Sequence, residues 1–263
     1  MLTKNERNFI KALRYRENRH KENLMVVEGL KGVLELLNSS VVTKRIYAKS
    51  SLNIEEITHL ARKFEVEICQ VSTKDMEIIS SMKKAPGVLA VGEISYSNEE
   101  NLISQIKNPS NIIPTLLMLD DLADPGNVGT LIRTAHWFGL AGVVCSPRTA
   151  DAWNPKAIQS SMGSVFNIPI IVSDLAQIIS SHKLSCATLD TSGTSIYESD
   201  EIPNTIIVGS ESHGITKELR ELSDMVWAIP GSKNAESLNA SIAGAIVCSE
   251  ISRRWSLNTQ VIQ

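Results

Sequence analysis

The sequence predicts an α/β protein in two parts, the second built on a parallel sheet, and three observations lead there. Short apolar runs alternate with helical patterns along the chain. A polar, irregular stretch separates a first set of alternations from a second. In the second set, three backbone-exposing turns follow apolar runs: Asp124-Pro125-Gly126-Asn127-Val128-Gly129, then Val208-Gly209-Ser210-Glu211-Ser212-His213-Gly214, then Ile229-Pro230-Gly231 with Ser237-Leu238-Asn239-Ala240-Ser241 after it. A packed core does not require such turns, whereas a ligand site built from loops does.

Taken in order, strands are predicted at 24–27, 45–48, 66–71 and 88–94, and helices at 30–37, 54–64 and 74–82. Residues 1–95 therefore read as a compact α/β domain. Residues 96–114, from Tyr96-Ser97-Asn98-Glu99-Glu100 to Asn108-Pro109-Ser110-Asn111, read as a linker. Residues 115–263 form the second domain, with strands at 115–119, 142–145, 184–189, 205–208 and 225–228 and helices between them. That is the pattern of a parallel sheet covered on both faces. Ligands in such sheets sit beyond the carboxyl ends of the strands, where all three turns fall.

The 263 residues, 43% hydrophobic and 21% charged, suit two modest soluble cores. The apolar runs fall far short of the ~20 residues of a membrane helix, and no charged leader with an apolar stretch suggests secretion. Cys69, Cys145, Cys186 and Cys248 are scattered and the five histidines isolated, so no metal is expected and the thiols fit a cytoplasmic protein. No two glycines stand one residue apart, which disfavours dinucleotide chemistry. The phosphate loop of nucleotide triphosphatases and the Gly-x-Ser-x-Gly elbow of hydrolases are also missing.

A net charge of −3 argues against a uniformly basic nucleic-acid binder, but residues 1–22 hold seven basic against three acidic side chains. Lys4, Arg7, Lys11 and Arg14 recur at spacings that share one helix face, while Phe9, Ile10 and Leu13 can bury another. With Arg16 and Arg19 they are candidate contacts for RNA phosphates. The competing reading is a solvated amphipathic helix.

Free N–H groups at the helix start after Asp124 can hold an anion, and Arg133 further along carries five fixed donors. The alternative there is a capped helix with Arg133 paired to an aspartate. Gly209 and Gly214 bound a polar loop holding Glu211, so its backbone can approach a ligand closely. Ser237 can cap the last helix with Asn239 in the first turn. Ala240, Ala243, Gly244 and Ala245 admit another backbone, in a core or a dimer contact.

Together, the Asp124 turn with Arg133-Thr134-Ala135, the Gly209–Gly214 loop, and Ile229-Pro230 with Ser237-Leu238-Asn239 resemble the three signature motifs of the SpoU (TrmH-like) RNA ribose methyltransferases of the SPOUT superfamily. The segment 156–163 with Ile168-Pro169 resembles the region between motifs one and two, and 13–29 resembles the family's RNA-binding domain, a ribosomal-protein-like fold. The resemblance implies a deep trefoil knot at the C-terminal end of the second domain, a homodimer, and S-adenosylmethionine held by the backbone at Gly209, Ile229 and Leu238. It implies methyl transfer to a ribose 2′-hydroxyl of structured RNA, ribosomal rather than transfer RNA, and not of DNA.

It also implies a catalytic set of Arg133, Asn127, Glu211, Ser237 and Asn239. Because arginine scarcely loses its proton, Arg133 is expected to bind phosphate and stabilise the developing oxyanion, the others to shape the pocket and orient the ribose. Ser210, Ser212 and Gly231 depart from the family's pattern and bear on cofactor affinity. Alternatives are a transfer-RNA ribose methyltransferase, a base methyltransferase, or a knotted RNA-binding protein without turnover.

Overall fold

The structure, a computed structural model, describes residues 2–109, 112–232 and 237–260. Two compact units divide the chain: Met1–Ser95 with Asp151–Asn167, and Tyr96–Ala150 with Ile168–Gln263.

In the first unit, α1 (Lys4–Ala12) opens on a capping box, Thr3 accepting from the Glu6 N–H at 3.2 Å while the Glu6 carboxylate accepts from the Thr3 N–H at 2.9 Å. The helix stops at Ala12 and α2 (Arg16–Glu22) starts anew, so the basic residues do not share one helix. Strands β1 (Leu24–Glu28), β2 (Thr43–Lys49), β3 (Glu67–Val71) and β4 (Val88–Glu93) form a mixed sheet in the order β1-β4-β2-β3, only β2 and β3 being parallel. Helices α3 (Leu30–Leu37), α4 (Glu55–Lys63) and α5 (Thr73–Ile79) connect these strands in turn. Ile10, Leu13, Val26, Tyr47, Met76 and Leu89 are buried in one cluster. The predicted continuation of α5 to Met82 fails because Ser80 turns out of the helix and the Glu28 carboxylate takes the Ser81 N–H at 2.8 Å.

The second unit begins with α6 (Glu99–Lys107), which occupies the stretch expected to be a linker. Its polar residues line the exposed side, and Leu102, Ile103 and Ile106 enter the core beside Leu116 and Met118. Ser110 and Asn111 of that expected linker lie outside the described residues. Then come β5 (Ile113–Asp120), α7 (Pro125–Trp137) and β6 (Leu140–Cys145).

The chain next contributes Asp151–Asn167, with α8 (Pro155–Ser161), to the first unit, although the sequence groups it with the second. Here Arg19, 1% exposed, donates through Nε to the buried Asp151 carboxylate at 2.9 Å and through Nη1 to the carbonyls of Leu13 and Arg14. Burying a guanidinium is tolerable only with all its donors so engaged.

The second unit resumes with β7 (Ile170–Val172), α9 (Leu175–His182), β8 (Cys186–Ser195), β9 (Thr205–Gly209), α10 (Lys217–Glu221), β10 (Met225–Ala228) and α11 (Ala240–Gln260). All six strands are parallel, in the order β10-β8-β9-β5-β6-β7. β7 is an edge strand of three residues, too short to show a period.

Helix α11 lies against α7, where a Cβ at Gly244 would stand 2.3 Å from Leu131 Cδ2. Of the two uses foreseen for its small residues, Gly244 serves the core. Farther along, the guanidinium of Arg254 stacks 4.9 Å from the Trp227 ring centroid and donates to the Glu201 carbonyl at 2.7 Å, fixing α11 to β10 and to the segment before β9. Among the described residues, no helix is long and apolar enough to cross a membrane.

Candidate active site

All three turns follow carboxyl ends of parallel strands in the second unit: after β5, after β9 and after β10. At the first, Asp124 caps α7, its carboxylate accepting from Gly126 N–H at 2.6 Å, and Pro125 opens the helix with φ preset. At the second, Ser210 and Gly214 exchange two backbone hydrogen bonds of 3.1 and 2.9 Å, closing a tight loop with Glu211, Ser212 and His213 at its tip. Gly214 takes φ +65°, which a side chain would strain. A Cβ at Gly209 would stand 2.4 Å from the Gly214 carbonyl carbon, so the missing side chain makes room for the loop's own backbone. At the third, the helix begins at Ala240, and Asn239 rather than Ser237 is its cap, Oδ1 accepting from the Ser241 N–H at 2.9 Å.

Three of the five expected catalytic side chains meet. Asn239 donates to Asn127 Oδ1 at 3.3 Å, and Asn127 in turn donates to the Glu211 carboxylate. One amide–amide–carboxylate chain thus ties the three turns together. Arg133 is exposed on α7, six residues beyond Asn127 and so about 120° around the helix from it. Its side chain makes no hydrogen bond or ion pair with the described residues, and the alternative of pairing with an aspartate is not found. Ser237 is exposed and also stands outside the chain of three.

Of the expected cofactor contacts, Gly209 closes β9, Ile229 follows β10 half-buried, and Leu238 is 49% exposed just before α11. Backbone groups at strand ends beside an apolar side chain left in solvent suit a ligand with both polar and apolar parts, such as a nucleoside carrying a thioether or sulfonium chain.

Two acidic residues to which the sequence assigns no role support these turns. The buried Asp120 carboxylate ends β5 and accepts from the Thr216 N–H at 2.7 Å, fixing the exit of the Ser210–Gly214 loop. Burial pushes its pKa up, and the neighbouring Asp121 pushes the same way, against the hydrogen bonds from Thr216. Asp121 turns the chain at φ +55° and accepts from Ser146 Oγ at 2.7 Å and from Arg148 Nε at 2.7 Å. Burial opposes its ionisation, but the bonds from Arg148 and Ser146 outweigh burial and hold the carboxyl below its ordinary range. An acidic pair ending an apolar strand was the only signal available for them.

The expected RNA contacts divide. Lys4, Lys11 and Arg16 are exposed. Arg7 pairs with Asp75 at 3.1 Å, and Arg14 donates to the carbonyls of Ile78 and Ser80. Arg19 must be withdrawn from the set, because the ion pair with Asp151 buries it. Charge and spacing cannot distinguish a solvated arginine from one recruited by a carboxylate 132 residues away.

Residues 114–249 match the SpoU rRNA Methylase family, and residues 7–90 match the MRM3-like substrate binding domain. The 23S rRNA (guanosine(2553)-2′-O)-methyltransferase RlmP of Bacillus subtilis (strain 168) is 31% identical over 245 residues, spanning 90% of this chain and 92% of that protein. The structure is similar to that of the AdoMet-bound rRNA methyltransferase from Sinorhizobium meliloti, with TM-score 0.82, 25% identity and 96% of each chain covered. It also shares the fold of the SpoU methyltransferase AviRb from Streptomyces viridochromogenes, with TM-score 0.85 at 21% identity over 96% of this chain and 98% of that one. A family match across more than half the chain, joined to the three tied turns at the strand ends, leads to one conclusion: this chain belongs to the SpoU family of RNA methyltransferases.

Proposed function

We propose that this protein methylates a ribose 2′-hydroxyl in ribosomal RNA, acting in the cytoplasm as a homodimer whose catalytic unit ends in a deep trefoil knot. The observation that carries the reading is the Asn239–Asn127–Glu211 chain, which gathers the three motif turns into one polar site. The RlmP relative, a 23S rRNA (guanosine(2553)-2′-O)-methyltransferase, supports the choice of ribose and of ribosomal over transfer RNA. Trp137, 80% exposed on α7, and Ile242, 51% exposed on α11, support an apolar contact between copies.

The methyl donor is S-adenosylmethionine, which supplies a sulfonium methyl group for in-line attack by the ribose oxygen. Backbone groups at Gly209, Ile229 and Leu238 hold it. Asn127, Glu211 and Asn239 keep the turns in register, and with Ser237 they orient the ribose, so that positioning supplies much of the rate. Arg133, exposed and permanently charged, grips a phosphate beside the target nucleotide and stabilises the oxyanion. On the first domain, Lys4, Lys11 and Arg16 meet the RNA backbone.

The test is transfer of a labelled methyl group from S-adenosylmethionine to total RNA of cells lacking the protein, followed by alkaline hydrolysis. Label in alkali-resistant dinucleotides of ribosomal RNA is the expected result, because a 2′-O-methyl blocks cleavage at that nucleotide. Label confined to mononucleotides would mean base methylation and overturn the ribose assignment.

A further inference from the structure

Ribose methylation releases a proton that Arg133 cannot take. The tip of the Ser210–Gly214 loop holds a group that can. His213 Nδ1 lies 2.7 Å from Ser212 Oγ, and Ser212 Oγ lies 2.9 Å from Ser210 Oγ. Glu211, two residues before His213, is the carboxylate that accepts from Asn127, so the imidazole belongs to the loop that joins the three turns.

We propose that His213 is the proton acceptor of the methyl transfer, its ring oriented by Ser212 and Ser210. This rests on the ribose reading above. With Nδ1–H donated to Ser212 Oγ and the Ser212 hydroxyl donated to Ser210 Oγ, the Nε2 lone pair faces solvent, where among the described residues it has no partner. As the ribose oxygen forms its bond to the methyl carbon, the methyl–sulfur bond breaks and leaves its electron pair on sulfur. The 2′ O–H bond breaks, and its proton moves to Nε2 and later to water.

Asp121, just after β5, interacts with His213; Arg148, after β6, is bonded to Asp121, and Glu211 lies in the same loop as the ring. Asp121 and His213 attract each other electrostatically, and Arg148 is bonded to the same carboxylate. Glu211 is engaged with Asn127.

His213→Gln and Ser212→Ala test the assignment, with total RNA of cells lacking the protein as substrate in single-turnover transfer across a pH series. General-base catalysis of this kind contributes roughly 100-fold or more, so His213→Gln should slow transfer by about that factor and abolish the acid limb of the pH–rate profile. Affinities for S-adenosylmethionine and for the RNA should stay within about twofold, which separates a base from a structural prop. Ser212→Ala should keep the acid limb but displace it. In the ligand-free protein, nitrogen-15 spectra of the neutral ring should show the Nδ1–H tautomer.

A His213→Gln rate near wild type with the acid limb intact, or an Nε2–H tautomer, would overturn the role of His213 and leave the ribose reading standing. Absence of wild-type label from alkali-resistant dinucleotides would overturn both.

Discussion

Asn239 donates its side-chain amide to Asn127 Oδ1 over 3.3 Å, although 112 residues separate the two. The same Asn239 caps α11, and the same Asn127 donates to Glu211, so two amides hold three loops. Side chains acting through one network lose their effect together. Asn127→Ala and Glu211→Ala should each lower methyl transfer at least ~10-fold, and the double variant should lose little more than either single one. Additive losses in a double-mutant cycle would show that the two side chains act separately. Asn239→Ala should in addition destabilise the protein by about 1 kcal/mol through the lost cap, measurable by urea unfolding.

Arg133 is exposed and without a partner among the described residues, so its removal should leave stability within about 0.5 kcal/mol of wild type. Arg133→Ala should bind S-adenosylmethionine nearly as well yet transfer methyl at least ~100-fold more slowly. Unchanged turnover would refute the oxyanion role.

Arg19 and Asp151 form a buried pair, and removing one partner strands the other in a low dielectric. Arg19→Leu should cost about 3–5 kcal/mol, read as a lower Tm, with RNA affinity per folded molecule unchanged. Lys4→Glu with Lys11→Glu should do the reverse, weakening RNA binding and flattening its salt dependence while unfolding at the same temperature.

Burial raises the pKa of Asp120 in the folded protein, so the folded state holds this proton more tightly than the unfolded chain does. Stability from this group is therefore complete below its ordinary value of 3.8 and is lost as pH rises from there through the raised folded value. Asp120→Asn keeps an acceptor for the Thr216 N–H without the charge. The variant should be the more stable protein at neutral pH, with the gain vanishing toward pH 3.8, as followed by urea midpoints. A gain that persists in acid would contradict the burial argument.

Much of this architecture was legible because local signals and the final fold agree. The strand over Met225–Ala228 and the helix over Leu30–Leu37 begin and end where apolar period and turn residues put them. Failures arose where distant partners decide the outcome. Helix α6 hides its three core residues among polar neighbours, and α5 ends early because Glu28 captures the backbone beyond it. At the site, the resemblance to the family's three motifs implied Asn127, Glu211 and Asn239 as members of one set, but not which would touch. The cap passed from Ser237 to Asn239 by a shift of two residues in the helix start, within the ordinary uncertainty of helix ends.

Because the first unit draws Asp151–Asn167 from beyond β6, it is not complete when its first 95 residues have been synthesised. A nascent chain that has exposed only its first 95 residues carries Arg19 with no carboxylate waiting for it. The amino-terminal fold therefore closes late, after β5, α7 and β6 have left the ribosome. Until then the unit lacks α8 and the carboxylate that neutralises Arg19, so its maturation waits on residues that emerge more than fifty positions after its own last strand.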